Sequence, residues 1–275
     1  MSQNPLQQFF RQPKIYINLP SKGAYNREGV IQGNAENLAV FGMTGMDEIL
    51  IKTPDALFSG ESTVKVIESC VPGIKDGWDV SNLDLDLILT AIRIATYGNT
   101  MEVEHSCPAC KELNDYTIDL SSLIDHYGSC KYHNKVVLKD LVVKLRPLTY
   151  KEITALTIEN ARLQKQITEA GGKELANAGE SELAKLYQEM ATLQNKIVAL
   201  GIDSVEVGNT VVTERSYIDE WLANCDKIIL DAIKQEFATN REVWDTPSHP
   251  VSCSACGHES TIRISMDNSS FFASA

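Results

Sequence analysis

Four of the seven cysteines in this 275-residue chain form two Cys-x-x-Cys pairs, Cys107 and Cys110 in "CPAC" and Cys253 and Cys256 in "CSAC". Thiolates at this spacing are metal ligands, and four of them fill the tetrahedral shell of zinc. A redox role for a single pair would call for a βαβ setting, and neither pair has one. Both have strand-like flanks instead. "MEVEHS" runs into the first pair and "DYTIDLS" out of it; "HPVS" and "STIRIS" do the same for the second. Such alternation around a turn is the mark of paired strands.

Each unit resembles one knuckle of a zinc ribbon, a rubredoxin-like turn with sulfurs and loop N–H groups aimed at one point. Gly257 supplies the positive φ that such a turn needs, and Pro108 stiffens the first pair. Other ligands stand nearby. His105, His249 and His258 flank the pairs, and a catalytic zinc would keep three protein ligands and a water. That would require one cysteine to stand aside, and nothing in the spacing asks for it. Pairs that bind no metal are the remaining alternative. Cys70 and Cys225 lie in apolar helical stretches and read as small core residues. Cys130 lies between His126 and His133 at irregular spacing. The four-cysteine set is therefore expected to be a closed, structural zinc site.

Nothing else in the sequence assembles an active site. There is no phosphate-binding glycine loop, dinucleotide fingerprint, nucleophile elbow or His-Glu-x-x-His. The alternating carboxylates Asp84 and Asp86 read as helix-start charges that complement the dipole. The expectation is a protein that is not an enzyme. A net charge of −12 argues against a general phosphate-backbone binder. A nucleic-acid-binding zinc ribbon is the alternative reading, opposed by that charge and by the single aromatic near the first pair, Tyr116. No stretch reaches the ~20 apolar residues of a membrane span, and the N-terminus lacks the order of a signal peptide. An intracellular, reducing setting follows, in which paired cysteines favour metal over disulfides.

The elements that must hold the cysteines can be read in order. Residues 1–40 form an irregular N-terminal arm with one strand candidate, "KIYINLP", and an adjacent Phe9–Phe10 pair suited to docking on a partner. Residues 41–148 hold a helical part, the first knuckle and a β-hairpin turning at Lys139–Asp140. There, "KTPDALF" has Thr53 as a cap and Pro54 at the first helical position. "STVKVIESC" follows, then a helix opened by Ser81 and closed by Gly98, with Leu85, Ile88, Leu89 and Ile92 on one face. Residues 149–200 are two helices with narrow heptad seams. One runs through Ile153, Leu156, Asn160, Leu163 and Ile167, the other through Leu183, Leu186, Met190, Leu193, Ile197 and Leu200. A Thr149–Glu152 capping box opens the first, and "AGGKELANAGES" separates them. Residues 201–275 give a hairpin turning at Gly208–Asn209, a long helix led by Ser216, and the second knuckle. The fold class is α+β: a helical N-terminal part, a split zinc-ribbon β unit, and an inserted antiparallel helical hairpin.

The stretch 49–98, "ILIKTPDALFSGESTVKVIESCVPGIKDGWDVSNLDLDLILTAIRIATYG", followed by "CPAC", resembles the baseplate hub and hub-assembly protein family of T-even-like contractile-tailed bacteriophages. The resemblance covers about 40 to 150 well and continues weakly to the end. "KLRPLTYKEI" is also similar to the opening of the helical part in phage tail assembly chaperones. The resemblance implies a role in virion morphogenesis without enzymatic activity. Its implied partners are other baseplate hub proteins and the tape-measure protein, not nucleic acid or membrane. Its implied location is the host cytoplasm during assembly and the virion tail baseplate.

Overall fold

The computed structural model describes residues 4–53, 59–174, 180–266 and 271–272. The "KTPDALF" helix start falls largely outside them. The chain divides into two compact units: Met1–Cys130 with Trp244–Ala275, and Lys131–Val243 between them.

The first unit begins with β1 (Pro13–Ile17) paired antiparallel to β2 (Leu38–Phe41). Then come α1 (Gly45–Ile51), α2 (Glu61–Cys70) and α3 (Asn82–Tyr97), the hairpin of β3 (Thr100–Ser106) and β4 (Leu113–Asp119), and α4 (Ser121–Ser129). The Ser81 hydroxyl accepts the Leu83 N–H to open α3, and Gly98 closes it at φ 96°. Ile88, Ile92, Leu87 and Ala91 are fully buried, so α3 is the axis of this core rather than a one-sided stripe. Asp84 is not a dipole-complementing surface charge. It is buried, accepting the Ser21 N–H at 2.9 Å, the Ser21 hydroxyl at 2.5 Å and Asn26 Nδ2 at 3.3 Å. A carboxylate so placed ties the chain after β1 to the start of α3. The Ser81 N–H goes to Asn26 instead.

The stretch that looks irregular in sequence still supplies the core with Ile17, Leu19, Val30, Leu38 and Val40, all buried. Only the beginning stands out. Asn4 caps a 3-10 turn, Pro5–Phe9, that leaves Leu6, Phe9 and Phe10 exposed. Arg11 roots it, donating to the carbonyls of Gly42 and Ser69 and stacking on Phe41.

The second unit is built on a four-stranded antiparallel sheet in the order β5 (Lys135–Leu138), β6 (Leu141–Leu145), β7 (Ile202–Val207), β8 (Thr210–Val212). The strands turn at Lys139 (φ 45°) and Gly208 (φ 57°). Between the neighbours β6 and β7 the chain makes a long excursion, α5 (Tyr150–Glu174) and α6 (Glu180–Leu200). The Thr149–Glu152 capping box forms in both directions, at 3.3 and 2.9 Å, and Arg146 grips the Glu152 carboxylate with two nitrogens. Leu156, Leu163 and Leu193 are buried in the seam, with Leu186, Met190 and Ile197 packed on them. Ion pairs Lys196–Glu159 and Arg162–Glu189 run in antiparallel order. The glycine-rich break is shorter than its composition suggests, since α5 continues through Gly171 and Gly172 to Glu174.

Beyond β8, the single helix expected from Ser216 is two helices, α7 (Arg215–Asn224) and α8 (Lys227–Trp244). Cys225 is extended (ψ 157°), and the Asp226 carbonyl takes the first α8 bonds from Ile229 and Leu230. Asn, Cys and Asp in succession are weak helix formers, with side chains that favour caps. The chain then re-enters the first unit as the hairpin of β9 (Ser248–Ser252) and β10 (Glu259–Arg263).

Candidate metal centre

The two cysteine turns have the same backbone plan. In the first, Cys107 N–H donates to the Glu112 carbonyl at 2.8 Å and Lys111 N–H to the Cys107 carbonyl at 2.9 Å. In the second, Cys253 N–H donates to His258 at 3.0 Å and Gly257 N–H to Cys253 at 2.9 Å. Lys111 and Gly257 both take positive φ, 65° and 71°. The chain therefore builds one knuckle twice, each between the strands of a hairpin.

Both knuckles lie in the first unit, and their sulfurs converge. Cys107 Sγ is 3.7 Å from Cys256 Sγ, and Cys110 Sγ is 3.6 Å from Cys253 Sγ, across separations of 149 and 143 residues. All four sulfurs lie within 4.8 Å of one another. A disulfide would bring a pair to about 2.05 Å. A zinc ion with four Zn–S bonds of about 2.3 Å sets tetrahedral S···S edges of about 3.8 Å. The residues thus fit a tetrahedral four-thiolate ion. Cys107 and Cys253 are buried; Cys110 and Cys256 are exposed.

The local field favours the thiolate at two of these sulfurs, Cys107 and Cys253, and the thiol at Cys110 and Cys256. The N–H groups of Cys110 and Ala109 lower the pKa of Cys107. Those of Cys256 and Ala255, with Cys110 and the Asn114 amide, bring Cys253 down to about 6. Cys110 accepts the Glu112 N–H, but the neighbouring sulfurs and burial push it up to about 12. On binding a dication, such a set of thiolates and thiols would release its remaining protons.

The supporting shell was not apparent from sequence. Buried Asn114 donates Nδ2 to Cys253 Sγ at 3.5 Å, while its Oδ1 accepts from the Ser254 N–H at 2.9 Å and the Ser254 hydroxyl at 2.7 Å. One residue on the first hairpin thus holds the turn of the second. Tyr116 OH donates to the Ser252 carbonyl at 3.1 Å, a second strap between the hairpins. The available signal was an asparagine within a strand, where it is disfavoured without a specific partner.

The histidines near the pairs do not join the sulfurs. His258 contributes backbone groups, and the Nε2 atoms of His105 and His249 are buried without a hydrogen-bond partner among the described residues. Cys70 is buried in the core, where burial pushes its thiol up to about 12. Cys130 lies 3.7 Å from His126 Nε2, and among the described residues the two belong to no cluster of three or more metal-ligating side chains.

Comparison with curated proteins and with solved structures gives no match. A family model, that of the T4 bacteriophage base plate protein, matches residues 45–273 and so takes in both knuckles and all of the second unit; the chain belongs to that family.

Proposed function

We propose that this baseplate protein is a hub component or hub-assembly factor, acting by protein–protein binding with a structural zinc ion at Cys107, Cys110, Cys253 and Cys256. The observation that carries the zinc assignment is the convergence of four sulfurs at tetrahedral edge lengths. With four thiolates bound, zinc has no open position for water or substrate, so the centre clamps and does not turn over. Family membership supports partners among other hub proteins and the tape-measure protein. The surfaces offered to them are the exposed Leu6–Phe9–Phe10 turn and the outer faces of the helical hairpin, where Ile158 and Tyr187 are exposed. As a hub component it works in the host cytoplasm during assembly and then in the tail baseplate; as an assembly factor it works during assembly alone.

Affinity capture of tagged protein from infected cells, with mass spectrometry of purified particles, tests this role. Recovery of hub or tape-measure proteins supports it, and a fixed low copy number in particles marks a hub component. Presence on the hub intermediate but absence from particles marks an assembly factor. Recovery of neither class of partner overturns it.

A further inference from the structure

We infer that the outer edge of β5, in the second unit, is a docking site for an acidic, extended segment of a partner protein, received by β-strand addition. This goes beyond the metal centre and the hub role and depends on neither.

β5 is the end strand of the four-stranded sheet, and only β6 pairs with it. The Asn134 carbonyl accepts the Leu145 N–H at 2.8 Å, so Asn134 faces β6. Successive residues of an antiparallel strand turn their backbone groups to opposite edges. Val136 and Leu138 thus face β6 as well, and Lys135 and Val137 each present an N–H and a C=O on the open side. Both residues lie within the strand itself, which contains no proline and no bulge. The open side is accessible: Lys135 is exposed, and Val137 is 70% exposed. Side chains alternate in the same way. Val136 and Leu138 pack into the core of the unit, while Val137 stands on the outer face opposite Val142. Val137 and Val142 take no part in that core. A guest strand beside β5 would place a side chain over this pair.

Charge indicates which guest fits. Lysines commonly guard an open edge against other strands. Here they also select. Residues 131–146 hold Lys131, Lys135, Lys139, Lys144 and Arg146 against Asp140 alone, in a chain whose net charge is −12. Lys144 is paired with Glu206 at 2.5 Å and Arg146 with Glu152 at 2.7 Å. Lys135 opens β5 and Lys139 follows its end, and neither has an ion-pair partner among the described residues. A second copy pairing edge to edge about Val137 would set each Lys135 opposite a Lys139, and like charges so placed repel. An acidic strand with an apolar residue between two carboxylates meets opposite charge at both ends and Val137 in the middle. Backbone complementarity supplies the binding mode, and the two lysines select the guest.

The test titrates the isotope-labelled full chain with the peptide Thr-Glu-Thr-Val-Thr-Glu-Thr and follows the backbone amides by NMR. A control peptide has Lys in place of both Glu. Two others are N-methylated, one at the Glu and Val amides, which would face β5, the other at the two inner Thr amides, which would face away. Two variants accompany the parent. Val137→Pro removes the outward N–H and spares the β5–β6 ladder, to which that N–H does not contribute. Lys135→Glu combined with Lys139→Glu reverses the charge of the edge. Both must keep the parental melting temperature, and if Val137→Pro does not, the two methylated peptides decide in its place. We expect saturable binding with shifts centred on the Lys135 and Val137 amides. It should weaken at least tenfold with Val137→Pro and with methylation at Glu and Val, but not with methylation at Thr. The double charge reversal should invert the preference between the Glu and Lys peptides. Absence of saturable binding, shifts centred elsewhere, equal binding to a folded Val137→Pro, equal affinity for the two methylated peptides, or indifference to peptide charge overturns the proposal. So does a self-association abolished by Val137→Pro without peptide binding, which would make a second copy the occupant.

Discussion

Asp86 faces its surroundings without the partners that Asp84 has. Half-buried on α3, it is pushed up to about 6 from 3.8, first by burial and then by the Asp245 carboxylate. The sign of the consequence is fixed. In the unfolded chain the group ionises near 3.8 but in the fold it keeps its proton to about 6, so the fold is favoured fully below 3.8. That advantage is lost as pH rises to 6, leaving a penalty at neutral pH. Asp86→Asn should therefore stabilise the protein at pH 7 by about 1–2 kcal/mol, after discounting for partial exposure. It should give no gain at pH 3.5, which paired thermal melts would measure; an equal gain at both values would contradict the assignment. Two other residues carry a backbone cost that differs between the knuckles. Lys111 holds φ 65° with a Cβ, whereas Gly257 holds 71° without one. A left-handed conformation costs an L-residue about 1–2 kcal/mol. Gly257→Ala should lower stability by about 1 kcal/mol, and Lys111→Gly should move it the other way by about 0.5 kcal/mol once unfolded-chain entropy is subtracted. Denaturant titration of the zinc-loaded protein measures both.

Among the elements, the paired hairpins are joined by two side-chain straps, Asn114 to the second turn and Tyr116 to Ser252, and the proposed ion would add a third link. Binding energy at a four-thiolate site is folding energy. Cys253→Ser, or chelation of the parent, should remove one zinc per chain and lower the melting temperature of the first unit by more than 10 °C, on the order expected for several kcal/mol. The second unit, which holds none of the four ligands, should keep its own transition. Calorimetry with metal analysis separates the two, and an unchanged first transition would show that no structural metal is held there. The knuckles were legible in the sequence because each is local: two cysteines, a turn and alternating flanks within about 20 residues. The ends of α3 were legible for the same reason, since Ser81 and Gly98 act on their own helix. The hidden features each join residues far apart or break a periodic pattern at one point. Asp84 reads as a helix-start charge until Ser21, 63 residues earlier, is brought against it. Asn114 reads as a strand irregularity until Ser254 arrives. The break between α7 and α8 lies in Asn224, Cys225 and Asp226, and the apolar period runs past it unaltered.

The whole molecule is one unit interrupted by another. The first unit leaves off at Cys130 and resumes at Trp244. On the side of the first unit the two ends of the interruption are tied together, since Tyr127 OH meets Thr246 Oγ1 at 3.1 Å and His126 Nε2 meets the Asp245 carbonyl at 3.1 Å. Both the core around α3 and the four sulfurs are composed entirely of residues outside 131–243. The inserted unit likewise has its own sheet and its own core, with Val143, Ile202, Ile218 and Ile233 at the centre. Each unit therefore has what independent folding needs: a contiguous core, paired strands, and ends that a short linker can join. Replacing residues 131–243 by a linker of about eight Gly and Ser residues should give a soluble first unit that still binds one zinc per chain and melts cooperatively. The loop-closure cost scales only logarithmically with length, so shortening the excursion should raise its stability by no more than about 2–2.5 kcal/mol. Metal stoichiometry and a thermal melt of the excised protein provide the measurement. A zinc-free or aggregated product would mean that the first unit needs the inserted one in order to fold. A zinc-bound, folded product would establish that the clamp belongs to the first unit alone, and would make the inserted unit separately available for testing against hub proteins.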